Sequence, residues 1–264
     1  MKDLSKAERI LIKIGTAVIT RNHKLNKYWM RRKVREISQL IHSGKKVIMI
    51  SSGAVGAGME IKQIIKRPRD ILKLQLLSGI GQPRLMRIYE TKFKRHSIKT
   101  AQILLTHHNF STQEEVKNLL DVIEGYFDEG ILPIINTNDI ITKEELMNGS
   151  AIKFSDNDEL AALVAKTLKM ELLLILTNVD GLYSRYTAKF GESRLVENIN
   201  KVTNTILEQT KKGKSPLGLG GMYSKVKAAR DVAEQNIPTI IANGKYNISD
   251  IISNKVKRTL ITVD

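Results

Sequence analysis

Short apolar runs alternate with longer amphipathic stretches along this chain. Residues 11–14 form a compact apolar run closed by Gly15, which predicts a buried strand. Over residues 29–43, Met30, Val34, Ile37 and Ile41 recur at steps of three and four, the spacing of an amphipathic helix. Asn26 is placed to cap that helix and Gly44 to end it. Residues 47–50 read as a second strand that breaks into Ser51-Ser52-Gly53. Strand, helix and strand in this order predict a βαβ unit with a right-handed crossover. Further strands are expected at 100–105, 131–135, 172–176, 238–242 and 258–263, and helices at 113–128, 158–168 and 223–235. Residues 70–95 are helical in pattern but carry Gly79, Gly81 and Pro83, which predicts a kink or two helices. A small hairpin is expected between 151–154 and the segment near Ile140, and 189–214 reads as the most polar connection. Together these elements predict an α/β fold, a three-layer α/β/α sandwich with a largely parallel central sheet.

Composition narrows the class. The 264 residues are 42% hydrophobic and 27% charged, as in a soluble globular protein with a sizeable core. With no cysteine, disulfides, thiolate zinc sites and a cysteine nucleophile are excluded. Residues 1–8 are polar, unlike a signal peptide, and no apolar run approaches the ~20 residues of a membrane span. A cytoplasmic location without membrane contact is therefore expected. The net charge of +16 fits either a basic face or an ordinary lysine-rich surface. The basic residues are spread along the chain and aromatics are only 5%, so no nucleic-acid partner is expected.

Ligands in parallel α/β sheets bind at the carboxyl ends of the strands, and four such places carry unusual chemistry. Lys13 lies in an apolar run just before Gly15. It is either a sheet-edge lysine or the partner of an anion. Ser51-Ser52-Gly53-Ala54-Val55-Gly56-Ala57-Gly58 follows a strand and precedes a helix. Such a stretch either permits tight packing or brings backbone N–H groups close to a ligand. It is not a Walker A motif, because no Gly-Lys-Ser/Thr follows at the required spacing. Asn136-Thr137-Asn138-Asp139 and Ser155-Asp156-Asn157-Asp158 supply many donors and acceptors, although Asp156 or Asn157 could equally cap a helix. Gly220-Gly221 opens a helix with Lys225 about one turn in, a setting suited to phosphate.

These stretches, in this order, resemble the glutamate 5-kinases of the amino acid kinase family. The resemblance runs over residues 11–243. It is carried by Ile12-Lys13-Ile14-Gly15, Ser52-Gly53-Ala54-Val55, Gly81-Gln82-Pro83-Arg84-Leu85-Met86, Pro133-Ile134-Ile135-Asn136, Asp156-Asn157-Asp158, Asp180-Gly181-Leu182-Tyr183, Gly220-Gly221-Met222 with Lys225, and Ile240-Ile241-Ala242-Asn243-Gly244. It implies ATP and Mg²⁺ as cofactors, L-glutamate as substrate, L-glutamyl 5-phosphate as product, a place at the start of proline synthesis, and proline as feedback inhibitor. It implies a homo-oligomer, dimer or tetramer, built through the helix near 70–95. Catalytic roles are implied for Lys13, Lys225 and Asp158, and glutamate binding for Ser52, Gly53, Asp139 and Asn157. ATP binding is implied for Lys13, Gly15, Thr177, Asn178, Leu219, Gly220, Gly221, Met222, Tyr223, Ser224 and Lys225, with the N–H groups of Gly15 and Gly53 as donors. No residue is assigned to the metal. Residues 1–165 would bind glutamate and 166–264 ATP, and the chain would be the short form without the C-terminal PUA domain.

Three positions depart from the family pattern. Thr137 stands where a glutamate is usual, Asn178 where an aspartate is usual, and Leu219 where a threonine is usual. An active enzyme with altered ATP or metal requirements is expected. The alternatives are a related kinase, such as one acting on N-acetylglutamate, and a catalytically silent nucleotide- or RNA-binding relative.

Overall fold

The computed structural model describes residues 3–21, 24–141, 157–184, 194–211 and 221–262. Among these the strands are β1 (Arg9–Ile14), β2 (Thr20–Arg21), β3 (Lys24–Leu25), β4 (Lys46–Ser51), β5 (Lys99–Leu105), β6 (Ile131–Thr137), β7 (Leu172–Thr177), β8 (Tyr183–Ser184), β9 (Arg194–Leu195), β10 (Asn198–Ile199), β11 (Thr239–Asn243) and β12 (Arg258–Ile261). The helices are α1 (Thr16–Ile19), α2 (Lys27–His42), α3 (Ala54–Ile61), α4 (Ile71–Lys94), α5 (Gln113–Asp128), α6 (Asn157–Thr167), α7 (Asn204–Lys211), α8 (Met222–Ala233) and α9 (Ile248–Ile252).

Eight strands form the central sheet in the order β10-β12-β11-β7-β1-β4-β6-β5. Every neighbouring pair is parallel except β11 with β12. Alternation along each strand divides the core in two. Ile10, Ile12 and Ile14 of β1 pack with Met30 and Ile37 of α2, Leu85 and Phe93 of α4, and Ile248 of α9. Leu11 of β1 faces the other way, with Ile123 of α5, Leu160 and Val164 of α6, and Val226 of α8. Helices thus cover both faces, giving the expected three layers. The parallel strands β7, β1, β4 and β6 are neighbours and end on one edge, where Thr177, Ile14, Ser51 and Thr137 lie. Lys13 sits one pleat from Leu11 and so shares the α6 side of the sheet.

The α2 boundaries follow the expected signals. The Asn26 side chain accepts from the Trp29 N–H at 3.1 Å, and Gly44 adopts φ +86° just beyond the helix. Three expectations need correction. First, of the kink or two helices expected here, the two helices are not found: α4 is one 24-residue helix that continues through Gly79, Gly81 and Pro83. Its glycine at 81 serves close packing instead. A Cβ there would lie 1.9 Å from the Ala54 carbonyl oxygen of α3. Second, the glycine-rich stretch after β4 does not merely precede a helix, because α3 begins at Ala54 and contains Gly56 and Gly58. A Cβ on Gly58 would meet the Leu77 carbonyl oxygen at 2.0 Å, so small residues let α3 and α4 touch backbone to backbone. Third, the polar stretch 189–214 is not a bare connection, since β9, β10 and α7 lie within it. Residues 151–154 of the expected hairpin lie outside the described residues.

Candidate active site

At the carboxyl edge of β1, Lys13 is only 3% exposed. Its Nζ donates to Asp158 Oδ1 at 2.5 Å. Asp158 is wholly buried in the first turn of α6, where the helix dipole favours a carboxylate. Its second oxygen, Oδ2, accepts from Lys225 Nζ at 2.9 Å and from Ser224 Oγ at 2.8 Å. Lys225 and Ser224 lie in the first turn of α8, capped by Gly221, whose carbonyl accepts from Ser224 Oγ at 2.9 Å. Burial alone would raise the Asp158 pKa. The charges and hydrogen bonds of Lys13 and Lys225 outweigh it and hold the carboxyl well below the ordinary range. One carboxylate therefore fixes two ammonium groups at one point of the strand edge.

Beside this triad is a polar cleft. Asn157, next to Asp158 in sequence, donates from Nδ2 to Ser52 Oγ at 3.0 Å and to Asn136 Oδ1 at 3.1 Å. Asn136 donates in turn to Gln82 Oε1 at 3.0 Å. The cleft is lined by these asparagines with Ser52, Gly53, Arg67 and Asp139. Asp139 is 7% exposed. Its carboxylate accepts from Ser78 Oγ at 2.5 Å and from Thr137 Oγ1 at 2.7 Å. Both donors are neutral, and no ion pair to Asp139 occurs among the described residues. Asn157 Oδ1 is buried without a protein partner. A buried carboxylate whose described donors are neutral, beside an unpaired acceptor, suits a ligand ammonium group.

At the start of α8 lies an apolar cleft of about 270 Å³, lined by Val179, Leu182, Val196, Ile199, Ile206 and Met222. Its apolar lining is of the kind that receives a flat, weakly polar group. Gly181 at its edge adopts φ +157°, and a Cβ there would come within 2.4 Å of Thr259 Oγ1. Close by, Asn243 Nδ2 donates to Asp180 Oδ1 at 3.1 Å, and Lys245 Nζ pairs with the same oxygen at 3.1 Å.

The structure thus brings together Lys13, Asp158, Ser224 and Lys225, and separately Ser52, Gly53, Asp139 and Asn157. Met222 lines the apolar cleft, while Tyr223 packs with the α-helical core on its side of the sheet. Thr177 is buried at the end of β7, and the exposed Asn178 next to it accepts from Thr177 Oγ1 at 3.4 Å. Leu219, Gly220 and Asp156 lie outside the described residues. The expected phosphate donor at Gly15 needs correction: its N–H donates to the Leu176 carbonyl at 3.2 Å, extending the β1–β7 ladder. Sequence reasoning missed Ser78, Gln82 and Arg67, and it missed the apolar cleft. Gln75, Ser78 and Gln82 do leave a signal, a polar row at steps of three and four along an apolar helix.

Magnesium, as the family resemblance implies it, finds no dedicated protein cage among the described residues. No group of three histidines, aspartates or glutamates converges there, and Asp158 is already engaged by two lysines and a serine. Magnesium commonly arrives on nucleotide phosphates with several of its own waters, so no protein ligand is assigned to it.

Residues 8–243 match the amino acid kinase family. A glutamate 5-kinase from Thermoanaerobacter sp. (strain X514) is 37% identical over 251 residues, which are 94% of this chain and 66% of that protein. This chain therefore spans just under two thirds of that relative's length. A glutamate 5-kinase from Clostridium acetobutylicum is 37% identical over 92% of this chain and 90% of its own length. Among solved structures, a carbamate kinase from Giardia lamblia bound to AMP-PNP superposes with a TM-score of 0.67 at 18% identity, covering 98% of this chain and 100% of the other. A UMP kinase from Bacillus anthracis gives 0.62 at 15%, covering 98% and 97%. At such identities the likeness is one of fold.

Proposed function

Because the chain belongs to the amino acid kinase family, we propose that it transfers the γ-phosphoryl group of ATP to the γ-carboxylate of L-glutamate. The observation that carries this reading is the pair Lys13 and Lys225, held on the two oxygens of one buried carboxylate beside a cleft suited to an ammonium group. A carboxylate oxygen attacks the γ-phosphorus, the bond to the β,γ-bridging oxygen breaks, and ADP leaves. The γ-carboxylate of glutamate titrates near ~4.3, so it is ionised at neutral pH and no general base is needed. The chain's task is to align the two oxygens and neutralise charge on the moving phosphoryl group. Lys13 does so from the end of β1 and Lys225 from the first turn of α8, both kept in place by Asp158. Asp139 and Asn157 Oδ1 receive the α-ammonium group. The adenine base occupies the apolar cleft by Met222 and Leu182. Magnesium supplies further charge neutralisation on the phosphates.

The same reading divides the chain into a glutamate-binding part, about 1–165, and an ATP-binding part, about 166–264. It places the reaction in the cytoplasm at the first step of proline synthesis, with proline as inhibitor and a homo-oligomer as the working form. Among the described residues no helix is long and apolar enough to cross a membrane.

The test is ADP release with Mg-ATP and, in turn, glutamate, N-acetylglutamate, aspartate and UMP, with hydroxylamine to trap an acyl phosphate. Turnover and hydroxamate with glutamate alone are expected. Lys225→Ala should lower kcat by about 10²–10³-fold, the loss seen when one preorganised transition-state donor is removed. Turnover only with another acceptor would move the substrate, and binding without turnover would favour a silent relative. Full turnover by Lys225→Ala would overturn the assigned mechanism.

A further inference from the structure

Glutamate brings three charges, and the site so far accounts for two. The γ-carboxylate faces the lysine pair and the α-ammonium faces Asp139. The α-carboxylate remains, and an unpaired anion in a partly closed cleft is costly. Among the described residues lining the cleft, Arg67 is the only cation.

We infer that Arg67 receives the α-carboxylate of the substrate and makes the enzyme selective for free α-amino acids; this rests on the glutamate reading above. Its place in the chain fits that role. Arg67 lies in the connection between α3 and α4, three residues before the Asp70 cap of α4. The first turns of α4 pack directly on the ammonium-binding carboxylate: Ser78 donates to Asp139 Oδ2, and Gln75 Nε2 donates to the Asp139 and Ile140 carbonyls at 3.2 and 3.1 Å. Arg67 and Asp139 line the same cleft. The α-ammonium and α-carboxylate share one carbon atom, so their partners must be neighbours. Arg67 is partly buried, which strengthens a charge-assisted bond, and its planar fork matches a carboxylate. The lysine pair would then meet only the distal carboxylate, which fixes which of the two is phosphorylated.

The test compares two acceptors, L-glutamate and its α-amide isoglutamine, which keeps the γ-carboxylate and the ammonium but not the α-carboxylate. The wild type should prefer glutamate by about 10–100-fold in kcat/KM, the usual worth of a charged hydrogen-bonded contact. In Arg67→Gln this preference should fall to within about threefold of unity, and Arg67→Lys should restore part of it. A merely structural role would lower both acceptors equally and leave their ratio unchanged; that result would overturn the inference. So would a wild type that does not distinguish them. Thermal melts establish that the variants are folded, and if Arg67→Gln is not, the Arg67→Lys ratio decides, since a lysine that matches the wild-type preference in full excludes the forked contact. A wild type inactive with both acceptors would instead remove the glutamate reading itself.

Discussion

At the residue scale, the triad concentrates the risk and the function of the molecule in one carboxylate. Asp158 is wholly buried and answers two lysines that are 3% and 6% exposed. Replacing it with asparagine keeps the shape but leaves two buried ammonium groups without their anion. Breaking a buried pair in this way costs about 3–5 kcal/mol, so Asp158→Asn should shift the urea midpoint strongly downward at pH 7 and abolish turnover. The pH dependence follows from the lowered carboxyl. Asp158 binds its proton less readily folded than unfolded, so the stability it contributes is complete above the unfolded value of about 3.9 and fades as the pH falls below it. The stability gap between wild type and Asp158→Asn should therefore be constant from pH 5 to 7 and narrow only below about pH 4. A gap that closed near neutrality would show that the lysines, not the carboxyl, set it. The departure at Thr137 also acquires a physical meaning. Its hydroxyl donates to Asp139, where a glutamate would have placed a second negative charge beside the first.

At the element scale, the contact between α3 and α4 is the joint on which the substrate cleft hangs. The start of α3 lines the cleft, and α4 holds Asp139 and Asn136 through Ser78 and Gln82. Backbone meets backbone at Gly58 and Gly81, with no room for a methyl group. Gly81→Ala should therefore push the helices apart, costing about 1–3 kcal/mol or more by overpacking and raising KM for glutamate more than KM for ATP. Urea unfolding and steady-state kinetics check both parts; equal rises in the two KM values would sink the coupling. This joint was poorly legible in the sequence. Periodicity found β1, β4, β7, α2 and α5 because their apolar residues face one or both sides of a sheet. It failed at α3, whose Ala-Val-Gly-Ala-Gly sequence packs by being small and carries no amphipathic pattern. It expected a kink or two helices over 70–95 from glycine and proline propensity, and of these the two helices are not found, because tertiary packing overrode the propensity. The triad members were legible singly as odd residues at strand and helix ends. Their pairing was not, since Asp158 meets lysines 145 and 67 positions away.

At the scale of the whole molecule, α4 has a second face that is left exposed among the described residues. Leu72, Leu76 and Ile80 follow one another at four-residue steps and are 63, 62 and 41% exposed. Ile140 reaches the same surface: a Cβ on Gly79 would touch its side chain at 3.4 Å. Single exposed leucines are ordinary, but a continuous apolar row along a helix marks a surface that a partner covers. A second copy of this chain is the occupant the family resemblance implies, and a two-fold pairing of like helices is the simplest closed arrangement. The row lies on the helix that carries Ser78 and Gln82, so assembly would stiffen the elements that hold Asp139 and Asn136. Leu76→Glu combined with Ile80→Glu should convert a dimer or tetramer to a monomer in sedimentation-velocity runs. Both side chains point outward, so the fold should keep its thermal midpoint to within the contribution of assembly itself. The monomer should bind glutamate more weakly than ATP relative to the wild type, because the substrate cleft leans on α4 and the apolar cleft by Met222 does not. A wild type that sediments as a monomer would remove the interface, and a monomeric variant with unchanged glutamate affinity would separate assembly from the cleft.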